Sequence, residues 1–211
     1  MFKNLHRYYQ RVKCKLTAIS GLAPLLLRLI LSPVLIQAGW NKLNHFNDTV
    51  AWFGNSDWGL GLPLPWLLAS LAIAAELLGG ILLLLGLLTR LVSIPLMITM
   101  LVAIFAVHLP YGWPAIADTS SWLADGTILL NERVMDSSDK IDAARSLLQQ
   151  HGNYDWLTAS GKLVILNNGI EFAAMYFAML LSLLFTGGGR YVSIDYWLTR
   201  STERSAPEVL Q

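Results

Sequence analysis

The residues most able to do chemistry are the few ionisable groups embedded in otherwise apolar stretches. Glu76 stands in Ala72-Ile-Ala-Ala-Glu76-Leu-Leu-Gly-Gly80, about 18 Å from either end of a long apolar run at 1.5 Å per residue. Arg28 lies about 9 Å inside the run that begins at Leu22. A charge at such depth is costly and normally faces a bundle interior or a cavity, so these positions are candidates for a proton or ion site. The competing reading is structural: Glu76 protonated, or paired to Arg28 as a clamp between helices, since an unpartnered buried carboxyl tends to take up a proton.

A second group collects where apolar runs end. One run closes on Gln37-Ala-Gly-Trp-Asn-Lys42-Leu-Asn-His45, another on Val107-His108, and another opens on Asn167-Asn-Gly-Ile-Glu171. Lys42, His45, His108 and Glu171, with Asn41, Asn167 and Asn168 around them, predict an outward-facing polar pocket between helices, a usual place for a ligand. An ordinary interfacial layer capping helix ends would use the same residues. Met97 and Met100, three apart, and Met175 and Met179, four apart, each share a helix face. Thioethers favour Cu(I), so with His108 these four are the candidate metal donors. Core packing is the competing use of methionine.

The elements that must position these groups follow from composition. Of 211 residues 55% are hydrophobic and 14% charged, too little polar surface for a soluble domain and the signature of a membrane protein. A net charge of +1 argues against a nucleic-acid partner, although the even balance hides an asymmetric distribution. The single cysteine, Cys14, excludes an internal disulfide or dithiol centre. Four apolar runs are long enough to span a bilayer: about 22–43, 64–88, 91–109 and 168–186. The predicted fold is therefore all-α, a four-transmembrane-helix bundle (22–186) with a long outer loop at 110–167. That loop contains a short amphipathic helix, from Ser137, with Ser or Asp as its cap and Ile141, Ala144, Leu147 and Leu148 on one face.

Residues 1–21 read as a basic interfacial helix, with Tyr8 and Tyr9 at the headgroups, and residues 187–211 as a tail. Asp195 in that tail predicts a local cap or a pair with Arg190. Asp48 to Trp58, rich in aromatics, reads as interfacial or re-entrant. Lysine and arginine concentrate in the N-terminal segment (Lys3, Arg7, Arg11, Lys13, Lys15), at Arg90 and in the tail (Arg190, Arg200, Arg204), while 110–167 is acidic. The positive-inside rule then puts both termini in the cytoplasm of a multi-pass protein of a bacterial-type inner membrane. Gly79, Gly80 and Gly86 suit close helix approach, Pro33 and Pro95 suit kinks, and Gly187, Gly188 and Gly189 suit a helix stop.

Taken in order, several segments resemble the DoxX family of small four-span membrane proteins. They are Arg28 with Pro33 and Gly39-Trp-Asn-Lys42-Leu, then Ala75-Glu76-Leu-Leu-Gly79-Gly80 with Gly86-Leu-Leu-Thr-Arg90, then His108. Asn168-Gly-Ile-Glu171 and Gly187-Gly-Gly-Arg190-Tyr-Val-Ser-Ile-Asp195 complete the series. Asn47-Asp-Thr-Val-Ala-Trp-Phe-Gly-Asn55, Trp58-Gly-Leu-Gly-Leu-Pro63 and Arg90-Leu-Val-Ser-Ile-Pro-Leu-Met-Ile-Thr-Met100 look closest to its HvfX branch. The resemblance implies a four-helix membrane bundle with matching polar positions at Arg28, Lys42, Glu76, His108 and Glu171. It also implies an accessory role in copper or redox homeostasis, beside a copper-binding modified peptide and its maturation proteins. The stretch from Ala117 to Gly161 exceeds the family's usual short loop. Two alternatives stand: a quinone-linked or thiol-redox oxidoreductase subunit, with Trp40, His108 and Glu171 near a quinone head and Glu76 as proton relay, and a non-catalytic assembly scaffold docking through 110–167. Copper and quinone are thus the candidate cofactors, a redox protein is a candidate partner, and an accessory subunit is expected rather than a stand-alone enzyme.

Overall fold

A computed structural model of the chain describes residues 2–205, with side chains over 5–201. Met1, the side chains of Lys3 and Arg204 and the tail beyond Ser205, on which parts of the sequence reading fall, lie outside the described residues. The described residues are helical, with no strand beyond two isolated bridges. In chain order the helices are α1 (Phe2–Ala18), α2 (Leu22–Asn44), α3 (Phe46–Gly54), α4 (Pro65–Leu85), α5 (Thr89–Val102), α6 (Glu132–Met135), α7 (Ser137–His151), α8 (Tyr154–Thr158), α9 (Glu171–Thr186) and α10 (Ile194–Ser205). The chain divides into two compact units: Met1–Thr99 with Tyr176–Gln211, and Met100–Met175.

Among the described residues three helical stretches are long and apolar enough to cross a membrane: Leu22–Asn44, Pro65–Leu85 and Thr89–Tyr111. The second is shorter than the run 64–88 suggests. Gly86 ends α4 with a positive φ of 64°, and Leu87 then donates back to the Leu82 carbonyl. The third continues past Val102 through a wider π turn, Ala103–His108, and a 3₁₀ turn, Leu109–Tyr111. Hydrophobic periodicity carries no signal for that change of pitch. The expected fourth span is a shorter helix: α9 has 16 residues, about 24 Å at 1.5 Å per residue, against a hydrocarbon core of roughly 30 Å. It starts at Glu171 because Asn168, at φ 65°, and Gly169 sit in a tight junction instead of a helical turn.

In the first unit the core is a seam between α2 and α4. Pro24, Arg28, Leu31, Ser32, Leu35 and Gly39 recur at three- and four-residue steps along α2, as do Ala69, Ile73, Glu76, Gly79, Gly80 and Leu83 along α4, so each helix buries one stripe. The two run antiparallel. A β-carbon on Gly39 would stand 2.7 Å from the Leu77 amide nitrogen, and one on Gly80 would stand 2.8 Å from the Ile36 side chain, so glycine permits this approach. Pro33 lies inside α2 and Pro95 inside α5, both within continuous helices.

In the second unit, residues 112–117 and 165–171 clasp each other. Ala117 N–H donates to the Ile165 carbonyl, Asn167 and Asn168 N–H to that of Ala115, and Ile170 N–H to that of Gly112. A β-carbon on Gly169 would come within 2.5 Å of the Trp113 and Pro114 carbonyl oxygens. The segment 110–167 is thus more structured than a loop with one helix, since α6 and α8 flank α7. Asn131 and Asn153 cap α6 and α8 through their side-chain oxygens. The amphipathic helix falls where its sequence predicts, but Asp136 precedes it in helical conformation and makes no side-chain cap. Of its expected face, Ala144 and Leu147 are exposed and Ile141 and Leu148 half-buried.

Candidate functional site: an ion pair between two apolar helices

Glu76 sits on the buried stripe of α4, 5% exposed, and the Lys42 ammonium donates to its Oε2 at 2.6 Å. Lys42 extends the α2 stripe one turn beyond Gly39, which aims its stem along the seam while 29% of its side chain stays accessible. The pair is asymmetric: a sequestered carboxylate held by a cation that still reaches the outside. Charge-assisted contacts of this length are the strong ones, and the buried neighbours of Glu76 on its own helix, Ala69, Ile73, Gly79, Gly80 and Leu83, are all apolar.

Arg28 is not the partner of Glu76. Antiparallel register places Gly39 against Leu77 and Arg28 against the last turn of α4, and Arg28 and Lys42 are separated by about 21 Å along α2. The fully buried guanidinium donates instead to four backbone carbonyls: Leu83 and Leu84 through Nη1 at 3.4 and 3.3 Å, and Tyr191 and Val192 through Nη2 at 3.0 and 3.1 Å. The carbonyls at a helix C-terminus lack intrahelical partners and carry the negative end of the dipole, which is where a guanidinium fork is most useful. A β-carbon on Gly86 would collide with Nη1, so that glycine serves both its left-handed backbone and the arginine.

Asp195 completes this joint in a way the sequence did not suggest. Neither a local cap nor a partner of Arg190, its carboxylate accepts from the backbone N–H groups of Leu88 at 2.7 Å and Thr89 at 2.9 Å, capping α5 from 106 residues away. Ser193 Oγ and the Asp195 N–H both donate to the Gly86 carbonyl. Arg90 donates to the Phe185 carbonyl at 3.1 Å in the last turn of α9, so a residue legible only as an orientation signal is also a C-terminal cap.

His108 and Glu171 belong to the second unit. His108 Nδ1 lies 2.8 Å from the Asn168 carbonyl oxygen; a carbonyl only accepts, so Nδ1 is the donor in this contact. Glu171 Oε2 accepts from Ala115 N–H at 2.9 Å, and the buried Asn167 amide donates to the Tyr111 and Pro114 carbonyls at 2.8 and 2.7 Å. These side chains tie the 112–117 and 165–171 clasp together. Asn131, which sequence reading passed over, joins them by donating to the Tyr111 carbonyl. His45 ends α2 and stands, exposed, 3.8 Å from Asp48.

Within the first unit Lys42 meets Glu76 and Arg28 meets backbone carbonyls, and within the second His108 and Glu171 each sit on the 112–171 clasp. Of the candidate metal donors, Met97 and Met179 belong to the first unit, and Met100, Met175 and His108 to the second. Among the described residues no group of three or more His, Cys, Asp or Glu gathers to hold a metal.

Residues 23–109, which carry Arg28, Lys42, Glu76 and His108, match the family model described as DoxX. No curated protein and no solved structure matches the chain.

Proposed function

We propose that this chain is a DoxX-type accessory protein of a bacterial-type inner membrane, in which the Lys42–Glu76 pair handles a proton for a redox partner. On this reading α9 is the fourth span, made sufficient by local thinning of the bilayer around a short helix, and both termini lie in the cytoplasm. The observation that carries the proposal is the 2.6 Å pair itself, a carboxylate and an ammonium held between two apolar helices. Intramembrane ionisable pairs of this kind commonly mark proton relays. Lys42 is the accessible member, so it is the group that exchanges protons with the outer side, and Glu76 is the one whose charge changes when Lys42 is drawn away.

The partner class implied by the resemblance is a copper-binding modified peptide with its maturation proteins, in the HvfX manner, with the copper carried by the peptide. His108, Met97, Met100, Met175 and Met179 are the soft donors this chain would contribute to a transfer.

Infrared difference spectroscopy of the reconstituted chain, recorded on addition of a short-chain quinol, tests the proton-handling role. The expected result is a carboxyl protonation band in the parent protein that Glu76→Gln abolishes. A spectrum without that band in a folded parent protein would reduce the pair to an interhelical clamp. The copper link is tested separately by Cu(I) titration of the chain with and without the five soft donors replaced, where equal stoichiometry overturns it.

A further inference from the structure

Residues 121–131 of the second unit form a closed hairpin that none of the roles above uses. The Ile128 and Leu129 N–H groups both donate to the Trp122 carbonyl, at 3.0 and 3.5 Å, and Asn131 N–H donates to that of Ala124, beside a bridge between Asp125 and Leu130. Every N–H from Leu123 to Leu129 finds an acceptor inside the loop, Leu123 on the Ser121 hydroxyl and Thr127 on the Asp125 carboxylate among them. Its donors therefore do not depend on water. Ala124 is fully buried, but Trp122 is 69% exposed, Ile128 62%, Leu129 51% and Leu130 65%. Large apolar groups gathered around one carbonyl make a contact surface.

The attachment of the hairpin names what it contacts. Asn131 donates through its side chain to the Tyr111 carbonyl at 2.8 Å, and the Arg133 guanidinium lies 4.7 Å above the Tyr111 ring. Tyr111 is the last residue of the membrane-length stretch Thr89–Tyr111, on which Phe105 and Leu109 are exposed as lipid-facing side chains would be. From Asn131 back to Ile128 is three residues, at most about 10 Å of chain, and the polar layer of a bilayer is roughly 5–8 Å deep on each side. The hairpin tip thus reaches the acyl boundary. Between Gly112 and Leu130 there is no Lys, Arg or His, and the only charges are Asp118 and Asp125, so headgroup charge does not recruit it. We propose that this hairpin is a membrane wedge: Trp122, Ile128, Leu129 and Leu130 enter the leaflet at the Tyr111 end of the stretch and hold the second unit against the bilayer through apolar contact, with the tryptophan at the headgroup level.

Depth measurement on the full chain tests this. In a Cys14→Ser background a spin label is attached at Leu129→Cys or at Ile128→Cys, with Ser146→Cys on exposed α7 as the aqueous reference, and each variant is reconstituted in phosphatidylcholine after its helicity is checked by circular dichroism. The two hairpin labels are expected to collide with oxygen several-fold more than with a water-soluble nickel chelate, and the Ser146 label to show the reverse. Roughly 1 M salt leaves both patterns unchanged, because the contact is apolar. Hairpin labels as open to the chelate as the Ser146 label overturn the proposal. Shielding that requires an added protein overturns it in favour of a protein partner, and shielding that fades as the chain is diluted in lipid overturns it in favour of a second copy.

Discussion

Lys42 reaches Glu76 across the α2–α4 seam at 2.6 Å, and of the two only the lysine keeps a path to the outside. Removing one member of a buried pair strands the other, whereas replacing both with apolar groups removes the problem. Lys42→Met is therefore expected to destabilise the protein by about 3 kcal/mol, and Glu76→Gln by less, because Lys42 can turn outward. The double variant Lys42→Met, Glu76→Leu recovers most of the loss. Denaturant titration of the three variants in one detergent checks the order, and a double variant less stable than Lys42→Met contradicts it.

Arg28→Lys should behave as a severe change despite keeping the charge. An ammonium cannot reach the carbonyls of Leu83, Leu84, Tyr191 and Val192 at once, and each carbonyl left dry costs about 1–3 kcal/mol. Limited proteolysis should then cut within 187–198 in the variant under conditions that spare the parent protein.

Asp195→Ala removes the carboxylate that accepts from Leu88 and Thr89 at the start of α5. The expected cost is about 1–2 kcal/mol, and Asp195→Asn should lose less by keeping an acceptor. Hydrogen exchange at the Leu88 and Thr89 amides should quicken while exchange in the middle of α4 stays unchanged.

In the second unit, Gly169→Ala drives a methyl group into backbone oxygens that cannot move aside. The clasp should open, cost more than about 2 kcal/mol and release His108 from the Asn168 carbonyl. The nitrogen-15 shifts of the His108 ring report that release as a mixed tautomer population.

The Asp118 carboxyl is held below the usual carboxylate range, first by the Ser120 hydroxyl at 2.6 Å and then by the Ser120 N–H at 2.9 Å. A lowered folded value means that this turn gains stability above the ordinary carboxylate titration, and loses it as pH falls through the lowered value. Ser120→Ala should raise the Asp118 midpoint in a carbon-13 titration; an unchanged midpoint removes the hydroxyl from the account.

The positions of the helices were readable because membrane-length apolar runs and helical stripes are local properties. Leu22, Asn168 and the Gly187 stop were each legible to within a few residues of the observed ends. What sat beyond reach was register. A pair between Arg28 and Glu76 is geometrically possible from the sequence, and only the antiparallel alignment of α2 against α4 assigns the carboxylate to Lys42. Asp195 and Arg90 act on residues about a hundred positions away, where no periodicity or capping rule points. The π turn before His108 leaves apolar composition untouched and so leaves no trace in the pattern.

The joint around Arg28 also sets an order of assembly. Arg28 leaves the ribosome long before Tyr191 and Val192, so while the first three membrane-length helices insert, half of its carbonyl partners have not been made. During that interval the guanidinium must be stabilised by headgroups, water or the insertion machinery. Residues 23–109, the stretch that matches the DoxX family model, thus hold an arginine whose final environment is completed only by residues about 160 positions further along the chain.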